Sequence, residues 1–144
     1  MTNSKRLQMP SAVEQAFKLA KRVRKNAYAP YSKFLVGSAI VDSRGRIYAG
    51  CNVENASYGA TLCAERTAAV QAIADHSQRF DHVVVVTDLE KPVSPCALCL
   101  QVLGEFAADD LKVWIANMKG VQSVHAFKDL LPYHFGPSEL RKNK

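Results

Sequence analysis

Val13, Ala16, Phe17, Ala20, Val23 and Ala27 recur three and four residues apart, with Lys18, Lys21, Arg22 and Lys25 between them. That spacing draws one apolar stripe along a helix and turns its cations the other way. Ser11 and Glu14 stand just after Pro10 as an S-x-x-E capping box, so the helix should start there, and Pro30 ends it. Phe34–Val41 and Ile47–Asn52 read as strands joined by the turn Asp42-Ser43-Arg44-Gly45, a hairpin. Val53–Thr61, rich in Asn, Ser and Gly, reads as a loop. From Cys63 to about Asp75 the chain is alanine-rich and free of Gly and Pro, which predicts a second helix.

Val83–Val86 is an unbroken valine run, the pattern of a strand buried on both faces. The loop from Asp88 to Pro95 leads into a further helix, about Cys96 to Ala107. Leu111–Ala116 and Val121–Phe127 are the last strands. Only Asn117-Met118-Lys119-Gly120 separates them, too short for a parallel crossover, so as neighbours they pair antiparallel. Pro137 is placed to start a helical turn in the C-terminal segment Leu130–Leu140. Helices after the second and third strands should cover both faces of one mixed five-stranded sheet. The expected fold is therefore α/β, a three-layer α/β/α sandwich whose last two strands form an antiparallel hairpin. No repeat, low-complexity tract or linker interrupts it, so residues 1–144 are expected to form one domain.

Composition adds two bounds. No apolar run approaches the ~18–20 residues of a membrane span, and Met1–Pro10 has no signal-peptide core, so a cytoplasmic protein is expected. C-x-x-C without a secretory signal favours metal or redox chemistry over disulfides. The net charge of +6 is unevenly spread. Residues 1–33 carry eight Lys and Arg against the single acid Glu14, whereas residues 34–144 carry eleven against twelve. A basic helix face is usually just solvated, and no aromatic-basic platform accompanies this one, so nucleic acid is not an expected partner.

The candidate chemistry lies in Cys63-Ala64-Glu65 and Pro95-Cys96-Ala97-Leu98-Cys99. Three thiolates can hold zinc and leave its fourth tetrahedral position open, the mark of a catalytic rather than a structural ion. Glu65 stands where a general acid/base could reach water at that position. Both segments fall at predicted helix starts, where unpaired N–H groups and partial positive charge favour thiolates. Arg66 is the nearby cation that could donate to a ligand sulfur. The plainer reading is a redox pair or half of a structural knuckle. A structural site needs a fourth protein ligand, and Cys51 and the histidines 76, 82, 125 and 134 have no ligand-like spacing.

The Cys-x-Glu…Pro-Cys-x-x-Cys arrangement resembles the zinc deaminase pattern, with Cys63 in the place of a histidine. More of the chain is similar to cytidine deaminases of the small, all-cysteine, homotetrameric type. The matching blocks are PYSKFLVG (Pro30–Gly37), GCNVENASYG (Gly50–Gly59), CAERTA (Cys63–Ala68), SPCALCLQVL (Ser94–Leu103) and LLPYHFGPSEL (Leu130–Leu140). The resemblance implies one zinc per subunit on Cys63, Cys96 and Cys99, with Glu65 as the proton carrier. It implies that Asn52 and Glu54 bind the ribose 3′-hydroxyl and that Phe34 packs on the pyrimidine. Backbone groups around Ala64 would hold the base edge. Phe135, with Ala56 and Tyr58, would reach a neighbouring subunit's site. By pattern alone Asn52 would cap a turn, Glu54 would be a loop charge, Phe34 strand core and Phe135 tail packing.

One departure stands out. The family commonly reads P-C-G-A-C-R-Q-V, and here Leu100 replaces the arginine, leaving more charge compensation to Arg66 and the helix ends. The implied activity is hydrolysis of cytidine and 2′-deoxycytidine to the uridine products and ammonia, in pyrimidine salvage. A deaminase of another cytosine nucleoside, of the antibiotic type, and a polynucleotide cytosine deaminase remain as alternatives. A non-enzymatic zinc-stabilised module would leave Glu65 and the NVEN loop unexplained.

Overall fold

Successive side chains of a strand point to opposite faces, so four valines in a row need apolar cover above and below. Val83–Val86 has it, at the centre of a five-stranded sheet. The computed structural model describes residues 7–91 and 93–141. Its strands are β1 (Gly37–Asp42), β2 (Ile47–Cys51), β3 (Phe80–Val86), β4 (Ala107–Asn117) and β5 (Gly120–Ala126), in the order β2-β1-β3-β4-β5. β3 and β4 run parallel, and the other neighbours are antiparallel, including the β4–β5 hairpin.

Helix α1 (Ser11–Val23) packs Val13, Ala16 and Ala20 on one face, against Val84, Val86 and Trp114. Helices α2 (Ala64–Ala74) and α3 (Ala97–Glu105) share the other, packing Ala68, Ala72, Leu100 and Leu103 against Val83 and Val85. The three layers are as expected, but their occupancy is not: the helices after the second and third strands do not divide between the faces. The strand order explains this. The β2-to-β3 and β3-to-β4 crossovers step the same way across the sheet, and crossovers of one hand stepping one way land on one face.

Local boundaries also differ from expectation. Pro10 precedes the first turn of α1, Ser11 lies inside it, and no side-chain cap forms. Proline suits that edge because its fixed φ is already helical and its missing N–H is not needed. Glu14 instead pairs with Lys18 at 3.0 Å. The helix stops at Val23, short of Ala27, where Arg24 turns inward to donate to Leu35 O at 2.8 Å and to pair with Asp88. Phe34 lies outside β1. Helix α3 ends at Glu105, and the first part of β4 is irregular before its pairing with β3 becomes regular at Lys112. The chain closes with α4 (Phe127–Leu130) and α5 (Pro137–Leu140), the turn that Pro137 begins. Among the described residues no helix is long and apolar enough to cross a membrane.

Close approach of helix to sheet depends on two glycines. A Cβ on Gly37 would stand 2.0 Å from Ala20 O in α1, and one on Gly50 would stand 2.5 Å from Ala68 N in α2. Gly50 thus lets the first turns of α2 lie directly on β2.

At the far end of β1, Asp42 is 2% exposed and fully engaged. It accepts from Arg44 N, Arg46 N, Arg46 Nε and the Ser77 hydroxyl at 2.8–2.9 Å, tying the β1–β2 turn to the segment after α2. Burial alone would raise its pKa, but the hydrogen bonds from Arg46, Ser77 and Arg44 outweigh burial and hold it below the usual carboxylate value. The stabilisation is therefore full above pH ~4 and is lost as pH falls through the lower folded-state value. Asp42→Ala should cost about 2–3 kcal/mol in denaturant unfolding near neutral pH and give a shallower loss of stability in acid.

Candidate metal centre and binding cavity

Cys63 and Cys96 are the residues at which the chain enters α2 and α3, each with extended backbone angles. Cys99 and Glu65 lie in the first turns of those helices. Because α2 and α3 lie on the same sheet face, their N-termini converge. The Sγ atoms of Cys63, Cys96 and Cys99 all lie within 4.8 Å of one another, with Cys63 and Cys96 3.9 Å apart. Two sulfurs on a tetrahedral zinc, each at about 2.3 Å, stand about 3.8 Å apart, so the Cys63–Cys96 spacing matches a shared zinc ion and Cys99 lies close enough to be its third ligand. Among the described residues it is the only such group of metal-binding side chains, and Cys51 and the histidines stay outside it.

The surroundings are arranged for negative charge. Arg66 Nη2 donates to Cys63 Sγ at 3.4 Å and to Thr61 O at 3.1 Å, and its buried Nε has no hydrogen-bond partner. Hydrogen bonding from Cys99, together with Arg66, brings the Cys63 thiol down to about 5. The Cys99 thiol is pushed up by its hydrogen bond to Cys63 and by burial. Leu100 is buried beside Leu103 as part of the apolar core.

Glu65 is 5% exposed, with Oε2 3.7 Å from Cys99 Sγ. Burial, reinforced by the charge on Cys63, pushes its carboxyl up to about 7. It faces a cavity of about 340 Å³ whose floor includes Cys63, Ala64 and Cys96. That size lies within the ~300–1,000 Å³ usual for small-molecule sites.

Phe34, Asn52 and Glu54 form part of the wall. Asn52 is buried, and its amide splints the preceding loop: Oδ1 accepts from Val36 N and Nδ2 donates to Phe34 O, both at 2.8 Å. Glu54 Oε2 accepts from Tyr31 N at 2.9 Å and Ser32 N at 3.2 Å, and Oε1 accepts from the Ser32 hydroxyl. The Ser32 hydrogen bond leads in holding its carboxyl below the usual range. Tyr58 is exposed, meets the Tyr31 ring edge-on at 5.8 Å and lines an adjoining hollow with Glu54. Ala56 is exposed on the same loop. Phe135, 60% exposed, does not line the cavity of its own chain; its carbonyl accepts from Gln101 Nε2 at 2.8 Å.

Ser32, Thr61, Thr87 and Val93 also line the cavity and were not expected from the sequence. Ser32 and Thr61 have no spacing rule of their own. Only membership of the PYSKFLVG block pointed toward Ser32.

Residues 10–115 match the family model described as the cytidine and deoxycytidylate deaminase zinc-binding region. A cytidine deaminase from Sporosarcina psychrophila is 44% identical over 128 residues, covering 89% of this chain and 94% of the relative. One from Halalkalibacterium halodurans is 39% identical over 127 residues, covering 88% and 96%. The crystal structure of cytidine deaminase from Burkholderia pseudomallei superposes with a TM-score of 0.80 at 44% identity, covering 85% of this chain and 98% of that one. The chain belongs to the cytidine and deoxycytidylate deaminase zinc-binding family. It binds zinc.

Metal analysis tests the cluster. Cys99→Ala should lose most of its zinc equivalent, whereas Cys51→Ala, altering a half-buried cysteine outside the cluster, should keep it.

Proposed function

We propose that the protein is a zinc-dependent cytidine deaminase that hydrolyses cytidine and 2′-deoxycytidine to uridine and 2′-deoxyuridine, releasing ammonia, in pyrimidine salvage. The observation that carries this reading is a buried carboxyl, Glu65, 3.7 Å from a sulfur of a three-cysteine cluster that borders a cavity of ligand size. Cys63, Cys96 and Cys99 would hold the ion. When bound, zinc supplies Lewis acidity that makes water a nucleophile near neutral pH.

The chain's own groups do the rest. Glu65 takes the proton of the attacking water at a carboxylate oxygen and delivers it to N3 of the cytosine ring, which makes C4 electrophilic. It then takes the remaining proton from the hydroxyl now on C4 and passes it to the amine, so that the C4–N bond breaks, ammonia leaves and the C4 carbonyl forms. A carboxyl whose burial moves it toward neutrality is suited to both directions of transfer. The first N–H groups of α2, at Ala64 and Glu65, have no intrahelical acceptor and can hold the base edge. Phe34 packs on the pyrimidine.

Asn52 and Glu54 take the ribose 3′-hydroxyl, and their remaining hydrogen-bond capacity supports this. Asn52 has used one of two Nδ2 hydrogens, on Phe34 O. Glu54 has used three of about four acceptor positions. One donor and one acceptor remain, which is what a hydroxyl needs. The polynucleotide alternative rests on the basic α1, which packs on the sheet face opposite the helices that carry the cluster.

The same reading makes the working enzyme a homotetramer with shared sites. Phe135, Ala56 and Tyr58 are all exposed in the single chain, and Phe135 sits outside its own cavity, ready to close a neighbour's. A cytoplasmic setting suits the design, because a reducing compartment keeps the three thiols free to ligate metal.

Incubation with cytidine, followed by ultraviolet spectroscopy, mass analysis and ammonia detection, tests the reaction directly; no uridine from zinc-loaded protein would refute it. Glu65→Gln should keep the fold and the zinc but lose about 10²–10⁴-fold in turnover, since an amide cannot shuttle protons. Phe135→Ala should raise KM while zinc content stays at one equivalent per chain. A fully active monomer, by sedimentation and assay at one concentration, would remove the shared site.

A further inference from the structure

Ser32 joins the two halves of the cavity wall. Its Oγ accepts from Phe34 N at 3.0 Å and donates to Glu54 Oε1, while its own N–H donates to Oε2 of the same carboxylate at 3.2 Å. The chain bends between Ser32 and Phe34, where Lys33 takes a left-handed backbone conformation with φ of 60°. That bend brings the hydroxyl over the next residue but one, as serine commonly does in tight loops. It also lines the cavity between the aromatic ring and the carboxylate.

We propose that Ser32 is a positioning residue for nucleoside recognition: its single hydroxyl fixes the Glu54 carboxylate toward the ribose and the Phe34 backbone, hence its ring, toward the base. Glu54 has three side-chain torsions and, among the described residues, no ion pair within 4.0 Å. Its orientation therefore depends on three donors from Tyr31 and Ser32. The Ser32 hydroxyl alone holds Oε1. Without it that oxygen loses its partner and the carboxylate is free to turn into solvent. Two nucleoside contacts are thus set by one side chain, neither of them at the metal.

The inference rests on Glu54 being the ribose ligand, so the test carries a control for that reading. The variants Ser32→Ala, Ser32→Thr and Glu54→Ala are assayed on cytidine and on 3′-deoxycytidine, which lacks the hydroxyl, with zinc measured in each. Ser32→Ala should keep its zinc and lose about tenfold in kcat/KM on cytidine, mainly through KM, the size of one hydrogen bond. On 3′-deoxycytidine the loss should shrink to about threefold, the share left to Phe34. Ser32→Thr, which restores the hydroxyl, should recover most of it. Equal losses on both nucleosides, or a fall in kcat as large as the rise in KM, would overturn the role of Ser32. If Glu54→Ala separates the two nucleosides and Ser32→Ala does not, Ser32 falls alone. If Glu54→Ala also fails to separate them, the ribose reading falls and takes this inference with it.

Discussion

Three sulfurs drawn within a few ångströms of one another cannot all ionise unless positive charge is brought to them, and much of the architecture follows from that need. Two helix N-termini, one guanidinium and a dication supply it. For both helix starts to reach one point, α2 and α3 must lie on the same face of the sheet. They do so because both crossovers step the same way across the sheet, from β2 to β3 and on to β4. Had the chain reversed direction after β3, the two halves of the motif would sit on opposite sides of the valine layer. The topology is thus a condition of the chemistry.

Glu65 shows the other side of the same arrangement. A charged carboxylate next to anionic sulfur, cut off from water, is disfavoured, and its affinity for a proton rises accordingly. The property that would count as a defect in an inert core is what general acid/base work requires. Leu100, one residue from Cys99, packs into the apolar layer beside Leu103 and brings no charge to the cluster. Arg66 is left as the cation hydrogen-bonded to the cluster.

How legible each part was in the sequence depended on how narrowly physics constrains it. The valine run, the short hairpin connection and the Cys-x-Glu…Cys-x-x-Cys spacing admit few structures, and sheet and cluster could be read from them. The distribution of helices between the faces could not, because it depends on β4 lying on the far side of β3 from β2, a long-range arrangement with no local signature. The start of α1 is where the Ser11–Glu14 pattern puts it, but the cap that the pattern implies does not form, because Pro10 occupies the edge position. Phe34 read as strand core from its apolar neighbours. The Asn52 amide, sixteen to eighteen residues away in sequence, holds that segment as a loop beside the cavity instead.

That buried amide has a further consequence. A loop that wraps a ligand usually surrenders conformational entropy when the ligand arrives, at about 1–2 kcal/mol for each residue fixed. Here both ends of the Asn52 side chain already fasten the backbone of Phe34 and Val36 before any nucleoside enters. The ordering is charged to folding rather than to binding, and a small ligand with few atoms to contribute meets a wall already in shape.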